Sequence, residues 1–181
     1  MYLHQNLDDS ALVRRSLEGD SGAFEQLVSN YQRVLFSVAL RLLGNDEDAR
    51  DATQNAFIKV YQRLDTYDSR YRFFSWIYRI LVNECLNARR GRNPEHPLSN
   101  DHRGSDDPGA SFEAGERTRA VREAILALPL EYREVIVLRH FAALSYEEMA
   151  AAIGIPTKTV KSRLHTARQR LLGALSGLMT R

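Results

Sequence analysis

The sequence predicts an all-α protein: two small helical domains joined by a flexible acidic linker. Three observations carry this. Apolar residues recur at helical spacing on both sides of the chain, and no segment sustains period-two alternation, so no sheet is expected. The stretch Pro94–Gly109 (PEHPLSNDHRGSDDPG) is rich in Pro, Gly, Ser and Asp and has almost nothing to bury, so it reads as a tether. The chain of 181 residues is long enough for one ordinary domain or two small ones. We place an N-terminal extension with a short helix at 1–21, a first domain at 22–93, the linker at 94–112 and a second domain at 113–181.

In the first domain Phe24, Leu27, Val28, Tyr31, Val34, Leu35, Val38 and Leu42 form one helical stripe. Gly44-Asn45 stops it. The next helix opens on Asp46, Glu47 and Asp48, carboxylates that suit the positive end of a helix dipole. Its stripe is Ala49, Ala52, Ala56, Val60 and Leu64, with Phe57 beside it. A polar, aromatic loop follows at 65–71. A third helix runs from about Arg72 to Arg90 and is expected to bury Phe73, Trp76, Ile77, Ile80 and Leu81. The second domain reads as helices near 113–127, 131–141 and 146–152, and a longer one from about 157. Helices this short are marginal alone and must pack on one another.

Charge is distributed unevenly. Residues 1–93 carry 13 basic and 12 acidic side chains, residues 94–116 one and six, and residues 117–181 11 and five. Of the 25 basic residues, 22 are Arg, which favours planar, multi-donor contacts to phosphate, carboxylate and base edges. Cys85 is the single cysteine, which excludes an internal disulfide and a cysteine-based zinc cluster. No apolar run approaches the roughly 20 residues needed to span a bilayer. Met1 to Asp9 lacks a basic segment followed by an apolar one, so no signal peptide is expected. A soluble protein of the reducing cytoplasm, without cofactor or metal, is the expectation.

Residues 144–171 carry the most specific pattern. Ser145 and Glu148 form a capping box that starts a helix. Ala150, Ala151 and Ala152 permit close approach. Gly154 supplies a turn, and Pro156 stands where the next helix begins. In that next helix Val160, Leu164, Ala167 and Leu171 point inward. Lys158, Thr159, Lys161, Ser162, His165 and Arg168 remain on the outer side, and no acid occurs from Thr157 to Arg181. This is a helix-turn-helix whose second helix suits the major groove, where Arg and Lys donate to guanine and hydroxyls adapt to several bases. The plainer reading is a solvated basic helix. His165 has no partner at helical spacing for a metal site, and His96 and His102 lie in the linker.

The stretch from Tyr67 to Arg92 interleaves Tyr67, Tyr71, Phe73, Phe74, Trp76 and Tyr78 with six arginines. Basic groups among aromatics suit single-stranded nucleic acid, since charge tracks phosphate and rings stack on unpaired bases. The alternative, that these rings are core, fits Phe73 and Trp76 best. With Phe73 inward, Arg72, Ser75, Arg79 and Arg90 fall on the opposite face. The helix at 46–64 presents Asp51, Gln54, Asn55, Ile58 and Gln62 outward, and an apolar Ile58 there suggests a protein contact.

Together these segments resemble a bacterial sigma factor of the extracytoplasmic-function group in the sigma-70 family. The resemblance lies in Ala23–Tyr31, Asp48–Leu64, Phe73–Arg90, Leu128–Leu138 and Leu144–Leu171. It implies two helical domains, region 2 and region 4, and a protein that directs core RNA polymerase to promoters without chemistry of its own. Asp51, Gln54, Asn55 and Ile58 would dock on the β′ clamp helices, with the β flap as a further polymerase contact. Tyr67, Asp68, Ser69, Arg70, Arg72, Phe74, Ser75, Arg79 and Asn83 would recognise and melt the −10 element. Lys158, Thr159, Lys161, Ser162, His165 and Arg168 would read the −35 duplex. The linker would thread through polymerase toward the RNA exit path. An anti-sigma factor, often membrane-bound in the family, would hold the chain inactive. Asn55 departs from the acidic residue common after Gln54, and the 66–71 loop lacks a glycine that some members carry. A self-sufficient helix-turn-helix regulator and a nucleic-acid enzyme are the competing classes; the second would need a carboxylate or metal constellation.

Overall fold

The computed structural model describes residues 6–91 and 112–176. The expected linker lies outside the described residues up to Phe112. Among the described residues the regular elements are all helical: α1 (Asn6–Leu17), α2 (Ser21–Leu43), α3 (Asp46–Gln62), a 3₁₀ turn (Leu64–Thr66), α4 (Phe73–Gly91), α5 (Phe112–Ala127), α6 (Leu130–His140), α7 (Tyr146–Ile153) and α8 (Thr157–Ser176).

Local chemistry sets most boundaries. Asp20 caps α2 by accepting from the Ala23 N–H. Gly44 ends α2 in the left-handed region, φ 88°, with its N–H on the Leu40 carbonyl. Asn45 then caps α3 by accepting from the Asp48 N–H at 2.8 Å. In α7 the expected capping box is formed: Glu148 N–H donates to Ser145 Oγ, and Ser145 N–H donates to Glu148 Oε2. Gly154, at φ 77°, closes α7.

The first unit is built on α2. Its buried face, Ala23, Leu27, Tyr31, Leu35, Val38 and Leu42, meets the alanine stripe of α3 and the Phe73, Ile77 and Leu81 face of α4. Small alanines let α3 lie close. Lys59 Nζ of α3 donates to Glu84 Oε1 of α4 at 2.5 Å, tying the two helices near their partly buried edge. The N-terminal helix joins this core through Leu12 and Val13, and its buried Asp9 accepts from Tyr31 Oη. Desolvation and the neighbouring Asp9 carboxylate push the Tyr31 phenol far above its ordinary value. In the second unit Val135, Leu138, Met149, Ala152, Val160, Leu164 and Ala167 close α6, α7 and α8 on one another.

The two units pack together, a point the sequence left open. α4 lies against α7, and the C-terminal half of α2 lies against α5 and α6. A Cβ at Gly44 would meet Leu126 of α5 at 3.1 Å, so this turn is close-packed across the junction. The Arg41 guanidinium sits 3.7 Å above the Phe141 ring centroid.

Candidate nucleic-acid interface

α8 divides as its sequence requires. Val160, Leu164 and Ala167 are buried. Lys158, Lys161, Ser162, His165 and Arg168 are exposed and Thr159 is half-buried. The six therefore share the solvent side of one helix, which begins directly after the α7 turn. Pro156 supplies the first acceptor, its carbonyl taking the Thr159 N–H at 2.8 Å. The surroundings are electropositive: burial and the charges of Arg168 and Arg139 hold the His140 imidazole below its ordinary value. Lys161 Nζ lies 5.4 Å from the Tyr146 ring centroid, steadied by the ring while its charge stays in solvent.

The 67–83 segment is more heterogeneous. Tyr67 is half-buried, edge-on to Phe73 at 5.3 Å and tilted on Trp76 at 5.5 Å, and its hydroxyl donates to the Tyr71 carbonyl at 2.7 Å. Burial raises its phenol pKa. Asp68 and Arg70 form a local clamp: Arg70 Nε and Nη2 both donate to Asp68 Oδ2, and the Arg70 N–H donates to Oδ1 at 3.0 Å. The guanidinium holds the Asp68 carboxyl below its usual range. Ser69, Arg70, Arg79 and Asn83 are exposed, and so is Tyr71, at 61%. Ser75 differs from the expected outward placement, and the Phe74 ring lies partly in the core. Ser75 is 5% exposed, and Phe74 is half-buried between Tyr31 and Tyr78, at 6.1 Å from each ring. The helix-period reading places Ser75 opposite Phe73 correctly but does not foresee that the opposite side is also covered. The Arg90 side chain lies outside the described residues.

The outer face of α3 is as expected: Asp51, Gln54, Asn55 and Ile58 are all exposed, Ile58 at 47%. Beside it runs an open apolar groove between α2 and α3, lined by Phe24, Val28, Phe36, Phe57, Ile58 and Tyr61. Tyr61 is 63% exposed and packs edge-on to Phe24 at 5.0 Å. Phe24 belongs to the apolar stripe of α2, and the apolar stripe of α3 does not mark Tyr61. The available signal was the pair of apolar residues Ile58 and Tyr61 on the outer side of a helix otherwise polar there.

No helix among the described residues is long and apolar enough to cross a membrane. Comparison with known proteins now bears on this arrangement. Residues 27–95 match the family described as Sigma-70 region 2, and residues 118–171 match Sigma-70, region 4. The chain is 31% identical to the ECF RNA polymerase sigma factor SigW of Bacillus subtilis over 92% of this chain and 96% of that one. It is 34% identical to the ECF RNA polymerase sigma-E factor of Escherichia coli over 99% of this chain and 100% of that one. Among solved structures, CnrH in complex with the cytosolic domain of CnrY superposes with a TM-score of 0.75 at 27% identity, covering 93% of this chain and 97% of that one. The sigma factor RpoE, in complex with the anti-sigma factor NepR from Bartonella quintana, gives 0.66 at 26% identity, over 84% and 96%. An N-terminal helical unit with an exposed apolar groove, followed by a helix-turn-helix with an acid-free outer face, is thus found in a chain that belongs to the sigma-70 family, in its extracytoplasmic-function group of alternative sigma factors.

Proposed function

We propose that this chain binds core RNA polymerase in the cytoplasm, brings it to promoters through two separate DNA contacts, and helps open the −10 element, with no catalytic residue of its own. The observation that carries the DNA part is the exposed face of α8: Lys158, Lys161, Ser162, His165 and Arg168 stand out from a buried apolar stripe, with no acid from Thr157 onward. Phosphate contacts by Lys and Arg position such a helix, and base-edge contacts specify the sequence. This face reads the −35 duplex.

The 67–83 segment takes the −10 element. Tyr67, Asp68, Ser69, Arg70 and Tyr71 form a braced, partly exposed aromatic loop, and Arg72, Arg79 and Asn83 continue along α4. Opening follows from tighter binding of the unpaired strand than of the duplex, which shifts the equilibrium toward the melted form. Phe74 and Ser75 support this segment from beneath in the compact chain. Polymerase docking falls to Asp51, Gln54, Asn55 and Ile58, with the α2–α3 groove beside them receiving apolar groups of the β′ clamp helices. The second unit contacts the β flap. Two modest DNA contacts become strong once polymerase fixes their spacing, because the second then forms at high effective concentration. An anti-sigma factor regulates the chain, as the partner in the RpoE complex suggests.

The deciding experiment combines the purified chain with core polymerase on a template carrying the promoter upstream of its own gene. Specific transcripts that need both components support the proposal. Tight DNA binding without polymerase affinity would favour a stand-alone regulator instead.

A further inference from the structure

The N-terminal helix lies ahead of residues 27–95, the part of the chain that matches region 2. Besides α2, it touches the 3₁₀ turn at Leu64–Thr66 and α4, the two elements that enclose the 67–72 loop.

Two adjacent residues of α1 reach the polar groups beneath that loop. Asp9 is 1% exposed, and a carboxylate is rarely buried unless it is paired. It accepts from Tyr31 Oη of α2, and its charge also bears on the Tyr67 phenol. Ser10 is half-buried, and its hydroxyl hydrogen-bonds the Tyr67 hydroxyl. A phenol has one proton to donate. That of Tyr67 goes to the Tyr71 carbonyl at 2.7 Å, so Ser10 is the donor in its bond and Tyr67 the acceptor. A hydrogen-bonded chain thus runs from Ser10 Oγ through Tyr67 Oη to the Tyr71 carbonyl, from α1 across the loop.

Tyr31 links the two contacts. Its ring tilts on Phe73 at 5.4 Å and on Phe74 at 6.1 Å. Tyr67 stands edge-on to the same Phe73 at 5.3 Å. Fixing the Tyr31 hydroxyl on Asp9 therefore sets the ring against which the first turn of α4 and Tyr67 rest. The other bonds of the loop close it on itself: Tyr71 N–H donates to the Asp68 carbonyl at 3.0 Å, and Arg70 clamps the Asp68 carboxylate. The tie to a neighbouring helix is made by Tyr67. An apolar pair of similar size would pack between α1 and α2 without the desolvation cost of a buried carboxylate. What the hydrogen bonds add is one fixed geometry.

We infer that Asp9 and Ser10 are positioning residues for promoter opening: α1 holds the Tyr67–Tyr71 loop in the shape that receives the unpaired −10 strand. The inference rests on the assignment of 67–83 to the −10 element. A loop ordered beforehand loses less conformational freedom when the strand arrives. Loosening it weakens capture of the open strand and leaves polymerase docking on α3 and duplex reading on α8 unchanged.

Ser10→Ala removes one hydroxyl from a half-buried helical position, and Ser10→Thr puts a hydroxyl back. Asp9→Ala removes the acceptor of Tyr31, and Asp9→Asn keeps one. Each full-length variant is assembled with core polymerase. Opening of the promoter upstream of the chain's own gene is followed with an adenine analogue in the −10 element that fluoresces when unstacked. Hydrogen exchange of the 64–72 amides in the free chain reports the order of the loop itself. The expected result is about fivefold weaker opening by Ser10→Ala, the worth of one net hydrogen bond, and a larger loss in Asp9→Ala. Ser10→Thr and Asp9→Asn restore opening, exchange quickens across 64–72 alone, and polymerase affinity is unchanged. If Asp9→Ala does not fold, Ser10→Ala decides by itself. Opening at the wild-type level by the alanine variants, alongside a defect in Tyr67→Ala, overturns the positioning role and leaves the −10 assignment standing. Polymerase affinity that falls in parallel with opening also overturns it, because α1 then supports the whole unit and not the loop. Undiminished opening by a Tyr67→Ala, Tyr71→Ala double variant overturns the −10 assignment and the positioning role with it.

Discussion

Arg133 of α6 donates from Nη1 to the carbonyl of Leu42 in α2 at 2.5 Å. The same guanidinium donates from Nη2 to the carbonyls of Leu126 and Leu128 at the end of α5. One buried side chain therefore caps two helix C-termini that belong to different units. Carbonyls in a last helical turn lack backbone donors and sit at the negative dipole end, so a fixed, forked cation is matched to the position. Arg133→Met keeps the volume and deletes the donors, leaving three carbonyls beneath apolar cover. We expect a loss of about 2–4 kcal/mol, with a Tm fall of roughly 5–15 °C. Lysine, with one compact head, cannot span both helix ends and should rescue only part of this. Thermal melts of the three proteins decide the matter; equal Tm values would remove Arg133 from its bridging role.

Glu134, the next residue, has the opposite character. It is 9% exposed, and burial raises its carboxyl pKa, an effect that Arg163 only partly offsets. A raised folded-state value means that the folded protein holds this proton more tightly than the unfolded one. Its contribution to stability is full below the ordinary carboxylate pKa and is lost as pH rises through the raised value. Glu134→Gln, which cannot ionise, should raise the Tm at pH 7 by a few degrees, on the order of 1 kcal/mol. It should also remove the loss of stability that Glu134 imposes as pH rises through its raised value. A variant less stable than wild type at pH 7 would mean that the carboxylate has a partner worth more than its desolvation.

Much of this was legible in the sequence, and the exceptions share a cause. Helix limits at Asn45, Ser145 and Gly154 are written in residues whose side chains or φ angles do the capping, and the structure places them accordingly. α8 packs on one side only, so its single stripe predicts its buried and exposed faces. α4 packs on two sides, against α2 and α3 on one and α7 on the other. A one-stripe reading therefore puts Trp76 and Ile80 inward, where they are half-buried, and passes over Tyr78, which is 1% exposed. It likewise leaves Ser75 outside. Periodicity reports that a face is apolar. It does not report that a polar face will meet a neighbour 73 residues away, as Arg79 donates to the Ala152 carbonyl of α7.

Cys85 offers a probe of the first unit's opening. It is 3% exposed on α4, and burial together with Glu84 pushes its thiol up to about 12. The thiolate is the reactive form, so the folded protein should resist iodoacetamide at pH 8, while the unfolded chain reacts at the rate of an ordinary cysteine. Because the folded value is raised, the thiol's contribution to stability is present below its ordinary value near 9 and is lost as pH climbs toward 12. Labelling followed by mass spectrometry across a urea series should track loss of near-ultraviolet circular dichroism. Rapid labelling of the native protein would show that α4 opens locally well before the whole unit unfolds.

The apolar exposure on α3 bears most directly on polymerase binding. Ile58 is 47% exposed at the rim of the Phe24–Tyr61 groove, where a charge would be solvated in the free chain and desolvated in a complex. Ile58→Asp should therefore leave the unfolding free energy within about 0.5 kcal/mol of wild type, as exposed substitutions do. It should weaken polymerase binding by a hundredfold or so, the size typical of a central apolar anchor lost from an interface. Arg168→Ala supplies the reciprocal control. Removing an exposed arginine of α8 should cost about 1–3 kcal/mol in −35 duplex binding if it contacts a base and lower the salt dependence if it contacts phosphate, with polymerase affinity untouched. Measuring both variants for both ligands makes the assignment separable. If Ile58→Asp binds polymerase like wild type, the groove is a solvated face and docking lies elsewhere. If Arg168→Ala binds −35 duplex like wild type at every salt concentration, the outer face of α8 is not the reading surface.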